Sequence, residues 1–237
     1  MTEAELIALL ADGQRNGTHD VYATPYAALD RAGAYRAMAG VFGLIGATAG
    51  MLKTAIQSDG VGVAAPMYAT RVGRCGLGLP AANVVGLELE VGVVLGKDVG
   101  PETEIASAID HYFTGIEIVG SRFRDRSLAG PIGGLADSMF ALGYAIGTEP
   151  RPLRDSLEGV TVTLEFAGRQ IYSAAPKHGF GSVLASLAAY ARSQHPAFPL
   201  RAGAIVTTGS LCGLVPITGT GHVVGRLGDD RVEFDIV

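Results

Sequence analysis

Three glutamates occur at positions that could bring their carboxylates to one cation. Residues 87–94 predict a strand, because apolar side chains alternate along them. Glu88 and Glu90 would then project from one face, with their Cα atoms about 7 Å apart, and Glu117 lies between two isoleucines in a second β-rich run. Carboxylates that converge in this way favour Mg²⁺ or Mn²⁺, which prefer oxygen ligands. The same alternation is also typical of a half-exposed strand with leucine inward and glutamate outward.

Further strings surround these glutamates in a fixed order. GLELEVGVVLGKDV is followed by GIEIVGSRF, LADSMFALGYAIG, GSVLASLAAYA and PLRAGAIVTTGSLCGLVPITGTGHV. From about Tyr35 to Val237 the chain resembles the fumarylacetoacetate hydrolase superfamily, and within it the branch of 2-keto-4-pentenoate hydratases and 4-oxalocrotonate decarboxylases. The resemblance implies that the metal ligands are Glu88, Glu90 and Glu117.

The chain also departs from the family pattern around this site. The position of the family's lysine falls on Leu44, and an aspartate and an asparagine of the family are replaced by Gly120 and Ser138. Lys53 lies nine positions beyond Leu44, and we expect it to be one helix further on, so that the N-terminal lobe does not supply the family's lysine base. The sequence therefore predicts retained metal ligands with altered acid/base residues.

Candidates for proton transfer follow from the same segments. They are Asp137, Ser138 and Lys177. Asp137 and Ser138 could shuttle a proton or cap a turn. Lys177, with its neighbour His178, could face the substrate or lie on the surface before a helix.

Two segments are candidates for binding a substrate carboxylate. Arg122 follows the strand of Glu117, and arginine pairs well with carboxylates. Thr208, Gly209 and Ser210 could present a hydroxyl and backbone N–H groups, or could simply end a strand.

Composition limits the class of protein and its partners. The 237 residues are 48% hydrophobic and 17% charged, which is enough for a full core and favours a homo-oligomer, dimer or higher, that hides part of the surface. A net charge of −5 argues against nucleic acid and anionic membranes as partners. Cys75 and Cys212 are the only cysteines, and the start of the chain lacks the basic residues of a signal peptide, so we expect a cytoplasmic protein.

The predicted elements favour an α+β fold. Helices are expected from Thr2 to about Asp12 and from Thr24 to about Met38, and strands dominate after Val84 without regular alternation with helices. Short helices are expected at Pro101–Ile109 and Gly181–Ser193. The sequence thus predicts a rolled mixed β-sheet, the fold that the resemblance also implies. We expect residues 1–70 to form an N-terminal helical lobe and residues 71–237 a catalytic β-roll domain.

The functional hypothesis is a metal-dependent lyase, a hydratase or decarboxylase, that acts on a small 2-oxo acid or its 2-hydroxydienoate enol. The cation would chelate the carboxylate and the 2-oxo oxygen of the substrate and stabilise an enolate. An acylpyruvate-type C–C hydrolase is the alternative reaction. A catalytically silent partner subunit of the same fold is the alternative class.

Overall fold

The computed structural model describes residues 1–80, 82–147 and 157–237, and the chain begins with three helices. These are α1 (Glu3–Asn16), α2 (Thr24–Ala27) and α3 (Arg31–Ile45). The helix predicted from Thr2 is confirmed as α1, and a capping box begins it, because Thr2 and Glu5 exchange hydrogen bonds between side chain and backbone. The single helix predicted from Thr24 to Met38 is wrong. Asp30 accepts a hydrogen bond from the Gly33 N–H at 2.7 Å and starts a separate helix.

Thirteen strands follow among the described residues. They are β1 (Ala49–Ile56), β2 (Gly62–Tyr68), β3 (Val72–Arg74), β4 (Gly78–Leu79), β5 (Val84–Leu95), β6 (Ile109–Gly120), β7 (Ala141–Ile146), β8 (Val162–Phe166), β9 (Arg169–Ala174), β10 (Ile205–Ser210), β11 (Val215–Pro216), β12 (Gly221–Leu227) and β13 (Asp230–Ile236). Two further helices are α4 (Gly130–Ala136) and α5 (Ala185–Ala191).

The strands form two sheets. The larger sheet has the order β2-β1-β10-β5-β6-β7-β3, with β11 added to β5, and the smaller has the order β4-β13-β12-β8-β9. β1 runs parallel to β10, whereas β5 pairs antiparallel with both β10 and β6. The predicted rolled mixed sheet with a small helical N-terminal region is confirmed.

Both faces of β5 are buried. Leu87, Leu89 and Val91 face a core that the larger sheet shares with the smaller one, in company with Val223 and Phe234. On the opposite face, side chains from β1, β2, β6 and β7 meet in one cluster. The buried members of this cluster are Met51, Met67, Phe113, Ala141 and Tyr144. The larger sheet therefore curls around an interior. The exposed-strand interpretation of the Leu/Glu alternation is therefore wrong, because this second face is enclosed.

Two predictions about secondary structure need correction. Within residues 1–70 the helices end at Ile45, and the strands that follow, β1 and β2, belong to the larger sheet. The division into two domains at residue 70 stays a prediction. Instead of a helix over Pro101–Ile109, the chain has one 3₁₀ turn at Ala106–Ala108 and then enters β6. Long pairing with β5 outweighs the weak local preference of this short segment.

The predicted helix at Gly181–Ser193 is present but shorter, as α5, and β8 and β9 form a hairpin. In the described parts of the chain, no helix combines the length and the apolar character needed to cross a bilayer.

Close packing of α5 on β2 gives a test of this architecture. A Cβ added at Gly62 would lie 2.1 Å from the backbone nitrogen of Tyr190, whereas one at Gly43, on the exposed side of α3, would meet nothing within 4 Å. We predict that Gly62→Ala lowers the free energy of unfolding by about 1–3 kcal/mol or more through overpacking. The control Gly43→Ala should raise it by up to about 1 kcal/mol through helix propensity. Urea denaturation measures both, and a Gly62→Ala protein as stable as the parent would contradict the packing.

Candidate metal centre

Three carboxylates converge on the inner face of the curled sheet. Glu88 and Glu117 are direct partners across the antiparallel β5–β6 pair, and Glu90 lies two residues further along β5 on the same face. One carboxylate oxygen from each lies within 4.8 Å of the others. Glu90 and Glu117 are fully buried, and Glu88 is partly exposed. The face-sharing that the alternation predicts is thus present.

These carboxylates are short of partners. Neither oxygen of Glu90 and only one oxygen of Glu117 has a hydrogen bond of ordinary geometry to a described residue. The Tyr144 hydroxyl lies close enough to Glu90 to lower the pKa of its carboxyl, but this effect is small beside the others. Buried charges without partners are strongly destabilising. Oxygen donors left over in this way fit a hard divalent cation held by Glu88, Glu90 and Glu117.

Lys53 provides the only ion pair that a described residue makes with the three carboxylates. Its Nζ lies 2.5 Å from Glu117 Oε1 and 3.3 Å from the carbonyl oxygen of Met139, to which it donates. The expectation that a helix separates Lys53 from Leu44 is wrong, because α3 ends at Ile45 and Lys53 is on the strand that follows, β1.

A sequence signal for this placement was present. Gln57, Ser58, Asp59 and Gly60 separate two apolar runs, which is typical of a hairpin. The turn forms, with Gly60 N donating to Gln57 O at 2.8 Å, and it pairs β1 with β2. Lys53 would then have been expected on a strand, facing the sheet interior.

The net effect of burial and neighbouring charges is to raise the pKa of Glu90, Glu117 and Lys53 alike. Burial raises the pKa of Glu90, and the neighbouring charge of Glu117 adds to this. Burial also raises the pKa of Glu117, although Lys53 opposes the effect. Burial acts to lower the pKa of Lys53, but the charges of Glu117, Glu88 and Glu90 outweigh it and raise this pKa. The cluster therefore favours a protonated lysine and disfavours full ionisation of the glutamates.

An aromatic floor lies beneath the carboxylates. The Tyr144 hydroxyl accepts a hydrogen bond from Thr207 Oγ1 at 3.3 Å. Gly115, opposite Glu90 in the β5–β6 register, makes room for this ring, since a Cβ there would lie 2.2 Å from Tyr144 Cε1. The floor closes the inner side of the site to solvent, because Tyr144 is fully buried.

A strained loop borders the site. Ser138, Met139 and Phe140 have consecutive positive φ values of 49°, 51° and 64°, a conformation that side chains other than glycine rarely adopt. The Met139 carbonyl accepts from Lys53 in this conformation. The strain thus accompanies the contact that holds the ammonium beside Glu117.

Arg122 and Asp137 form a buried ion pair with each other. Arg122 Nε and the backbone N–H of Arg122 both donate to the Asp137 carboxylate, which also accepts from Ser121 Oγ at 2.9 Å. A further Arg122 nitrogen donates to the Asp137 carbonyl oxygen at 2.6 Å. Burial raises the pKa of Asp137, and Arg122 opposes the rise.

Neither Arg122 nor Asp137 lines the cleft, so the geometry offers no support for the predicted roles in substrate binding and proton transfer. Ser138 is likewise buried and does not line it. The Arg122 guanidinium instead holds Asp137, the residue directly before the strained loop of residues 138–140.

Three of the four remaining predicted residues line a cleft above the carboxylates. Its volume is about 640 Å³, and its walls include Lys53, Glu88, Glu90, Met139, Tyr172, Lys177, His178, Phe180, Gly209, Ser210 and Cys212. Lys177, Gly209 and Ser210 are thus brought to the site. Thr208 is not, because its hydroxyl is buried and donates to the Val91 carbonyl at 2.7 Å. Sequence reasoning missed Tyr172 and Cys212, for which no local pattern gave a signal.

The whole arrangement can be compared with known proteins. The family model described as fumarylacetoacetate (FAA) hydrolase C-terminal matches residues 55–236, which include all three glutamates. The chain belongs to the fumarylacetoacetate hydrolase family. It is 30% identical over 207 residues to a 2-keto-4-pentenoate hydratase of Paraburkholderia phymatum, an alignment that covers 81% of the chain and 78% of that relative. The 2-keto-4-pentenoate hydratase 3 of Pseudomonas putida is 30% identical over 159 residues, covering 63% of the chain and 58% of that relative's own length.

Solved structures share the fold at lower identity. A 4-oxalocrotonate decarboxylase of Pseudomonas putida, complexed with calcium and acetate, has a TM-score of 0.79 at 19% identity and is matched over 100% of this chain and 99% of its own. A maleylpyruvate hydrolase of a Sphingobium species, in complex with manganese(II) and pyruvate, has a TM-score of 0.53 at 15% identity, over 79% of this chain and 69% of its own. At these identities the likeness establishes the fold.

The surplus of buried negative charge predicts a stability effect. Glu90→Gln replaces a buried ionisable carboxyl with a neutral amide, and the new N–H₂ can donate to the unbonded oxygen of Glu117. We expect the metal-free variant, in chelator at neutral pH, to exceed the metal-free parent in unfolding free energy by about 1–3 kcal/mol. Urea denaturation measures this, with the exposed Glu102→Gln as the control that leaves stability unchanged. A metal-free Glu90→Gln protein less stable than the parent would show that the glutamate charge is compensated within the fold.

Proposed function

We propose that the protein is a divalent-metal-dependent lyase, a hydratase or decarboxylase, acting on a small 2-oxo acid or its 2-hydroxydienoate enol. One observation carries the proposal. Three clustered carboxylates, two of which have buried oxygens that no described residue bonds, meet a charged lysine at the base of one cleft. The hydratase and decarboxylase names of relatives in the same family support the reaction class.

Glu88, Glu90 and Glu117 would hold the cation, with Mg²⁺ or Mn²⁺ proposed because all three donors are carboxylate oxygens. When bound, the ion supplies Lewis-acid stabilisation for negative charge that develops on neighbouring substrate oxygens. Related structures described as complexes with calcium, magnesium or manganese support a divalent ion without selecting one.

Lys53 is the proposed proton-transfer group. It lines the cleft beside Glu88 and Glu90, and its Nζ is fixed by Glu117 and by the Met139 carbonyl oxygen. Such fixing keeps the ammonium in one position relative to a substrate at the carboxylates. Gly209 and Ser210 form the adjacent wall, where a substrate carboxylate would lie.

A lysine in the cleft also bears on the silent-subunit alternative. A partner subunit without activity requires no titratable side chain at the metal, whereas this chain buries Lys53 against Glu117 and leaves it only 13% exposed. The enzyme is therefore the better-supported class. The C–C hydrolase remains the alternative reaction, since the same cation and the same lysine would serve it.

A homo-oligomer, dimer or higher, is part of the proposal. The charged fraction of 17% is low for a chain whose whole surface meets water, and this supports a covered face. Light scattering of the purified protein tests it, and a monomer at micromolar concentration would remove this part of the proposal.

The reaction class is tested by ultraviolet absorbance. The purified protein is incubated with a panel of 2-hydroxydienoates, 4-oxalocrotonate-type 2-oxo diacids and acylpyruvates, with Mg²⁺ or Mn²⁺ and with chelator. We expect metal-dependent turnover of a 2-hydroxydienoate or an oxalocrotonate-type acid. Turnover restricted to acylpyruvates would replace the lyase with the hydrolase, and no turnover with any of them would favour the silent subunit.

The role of Lys53 predicts a specific loss of turnover. Lys53→Met keeps most of the side-chain volume but cannot transfer a proton, and we expect kcat to fall about 10²–10⁴-fold. Oxalate binding in the presence of Mg²⁺, followed by calorimetry, should persist in this variant because the carboxylates remain. The control Lys97→Met changes an exposed lysine that bonds Ser107, and should leave kcat unchanged. Full activity of Lys53→Met would exclude Lys53 as the proton-transfer group.

Metal chelation predicts which small acids stabilise the protein. Oxalate and pyruvate carry a carboxylate next to a second oxygen donor, whereas acetate lacks that donor. With Mg²⁺ present, oxalate and pyruvate should raise the melting temperature in proportion to occupancy, and acetate should do so far less. Differential scanning fluorimetry with and without chelator measures this. Equal shifts from acetate and oxalate, or an oxalate shift after exhaustive chelation, would rule out bidentate binding at the metal.

A further inference from the structure

A rigid segment that carries two nitrogen-bearing side chains forms one wall of the cleft. Lys177 N donates to Leu211 O at 2.8 Å, and Gly179 N donates to Ser210 O at 3.0 Å. These bonds fasten the segment to the end of β10, which is itself part of the cleft wall. The positions of Lys177 and His178 are therefore set by backbone pairing.

The ring of His178 has one nitrogen occupied and one unused. Nδ1 accepts a hydrogen bond from the Phe180 N–H at 3.1 Å, so Nδ1 carries the lone pair. Burial lowers the pKa of His178, which favours the neutral ring, and the single ring proton is then on Nε2. Nε2 is buried and has no hydrogen-bond partner among the described residues.

This tautomer excludes a metal-ligand role for His178. A ligating Nε2 needs a free lone pair, which requires the proton on Nδ1 and conflicts with the Phe180 N–H donation. His178 instead offers a fixed N–H donor. A buried donor without an acceptor is costly unless a ligand supplies one.

A positively charged side chain lines the same cleft. Lys177 is exposed, lines the same cleft and makes no ion pair with any described residue. The other lysine of the cleft, Lys53, is already paired with Glu117. An N–H donor and an ammonium that line one cleft match a carboxylate, which accepts several hydrogen bonds and carries the opposite charge.

We propose that Lys177 and His178 form a subsite for a second carboxylate, so that the preferred substrate is a 2-oxo diacid whose distal carboxylate binds at this wall. The inference rests on the proposed function, because it assumes that the 2-oxo acid end of the substrate is held at the three glutamates. His178 is then a specificity-determining residue, and Lys177 contributes charge to the same end of the substrate.

Matched pairs of unreactive 2-oxo acids test the subsite. With Mg²⁺-saturated protein, calorimetry compares 2-oxoglutarate with 2-oxopentanoate and 2-oxoadipate with 2-oxohexanoate, and oxalate reports the metal end alone. We expect the diacid of at least one pair to bind about tenfold or more tightly than its monoacid, the effect of one hydrogen bond to a charged group.

Substitutions at the wall assign the preference to its residues. His178→Leu removes the donor and should reduce the diacid preference about tenfold, leaving the affinities for oxalate and for the monoacids unchanged. His178→Gln keeps an N–H donor on a side chain of similar reach and should retain most of the preference. Lys177→Met should weaken diacid binding and reduce its dependence on salt. His222→Leu, on β12 of the smaller sheet, is the control that changes none of these affinities.

The outcomes separate the two proposals. If oxalate binds with Mg²⁺ but the diacids bind no better than the monoacids, or if His178→Leu keeps the full preference, the subsite is wrong and the metal-dependent function stands. If neither oxalate nor any 2-oxo acid binds in the presence of Mg²⁺ or Mn²⁺, both proposals fail. Circular dichroism melting of each variant establishes that the compared proteins are folded.

Discussion

The enclosure of three carboxylates with one ammonium inside a curled sheet is the constraint on which the rest of the site depends. Glu90 and Glu117 are fully buried, and Lys53 neutralises only part of their charge. Such a cluster is unfavourable in an apolar interior unless another cation joins it. The surrounding strands must therefore hold the carboxylates in place against their mutual repulsion, which the long β5–β6 pairing does.

Small residues make this enclosure possible. Gly115 leaves space for the Tyr144 ring beneath Glu90, and Gly92 leaves space for Phe113, whose ring would lie 2.1 Å from an added Cβ. The large rings of Phe113 and Tyr144 thus fill the interior of the curled sheet, each from the strand that neighbours the strand of its glycine. The interior excludes water on that side, and the carboxylates open only toward the cleft, where Glu88 is partly exposed.

A second buried ion pair, Arg122–Asp137, holds the loop that contacts the first pair, Lys53–Glu117. Arg122 follows β6 and is tied to Asp137, directly before the strained residues 138–140. Removal of either partner would leave an uncompensated buried charge, which is strongly destabilising. This pair therefore positions the loop whose Met139 carbonyl contacts Lys53, and the two ion pairs are connected through a few residues of backbone.

The sequence alone determined the rolled mixed sheet, the family and the shared face of Glu88 and Glu90. The shared face follows from the alternation of side chains within one strand, which is a local property. The sheet and the family follow from the order of strands and motifs along the chain. The sequence misplaced Lys53: the local hairpin signal at residues 57–60 indicates that Lys53 is on a strand, but the place of that strand in the sheet depends on pairing of β1 with β10, whose partners are more than 150 residues apart. It also predicted that Arg122 binds a substrate carboxylate and that Asp137 transfers a proton. Only the tertiary structure decided that these two charges neutralise each other, because local sequence does not specify which buried charge meets which.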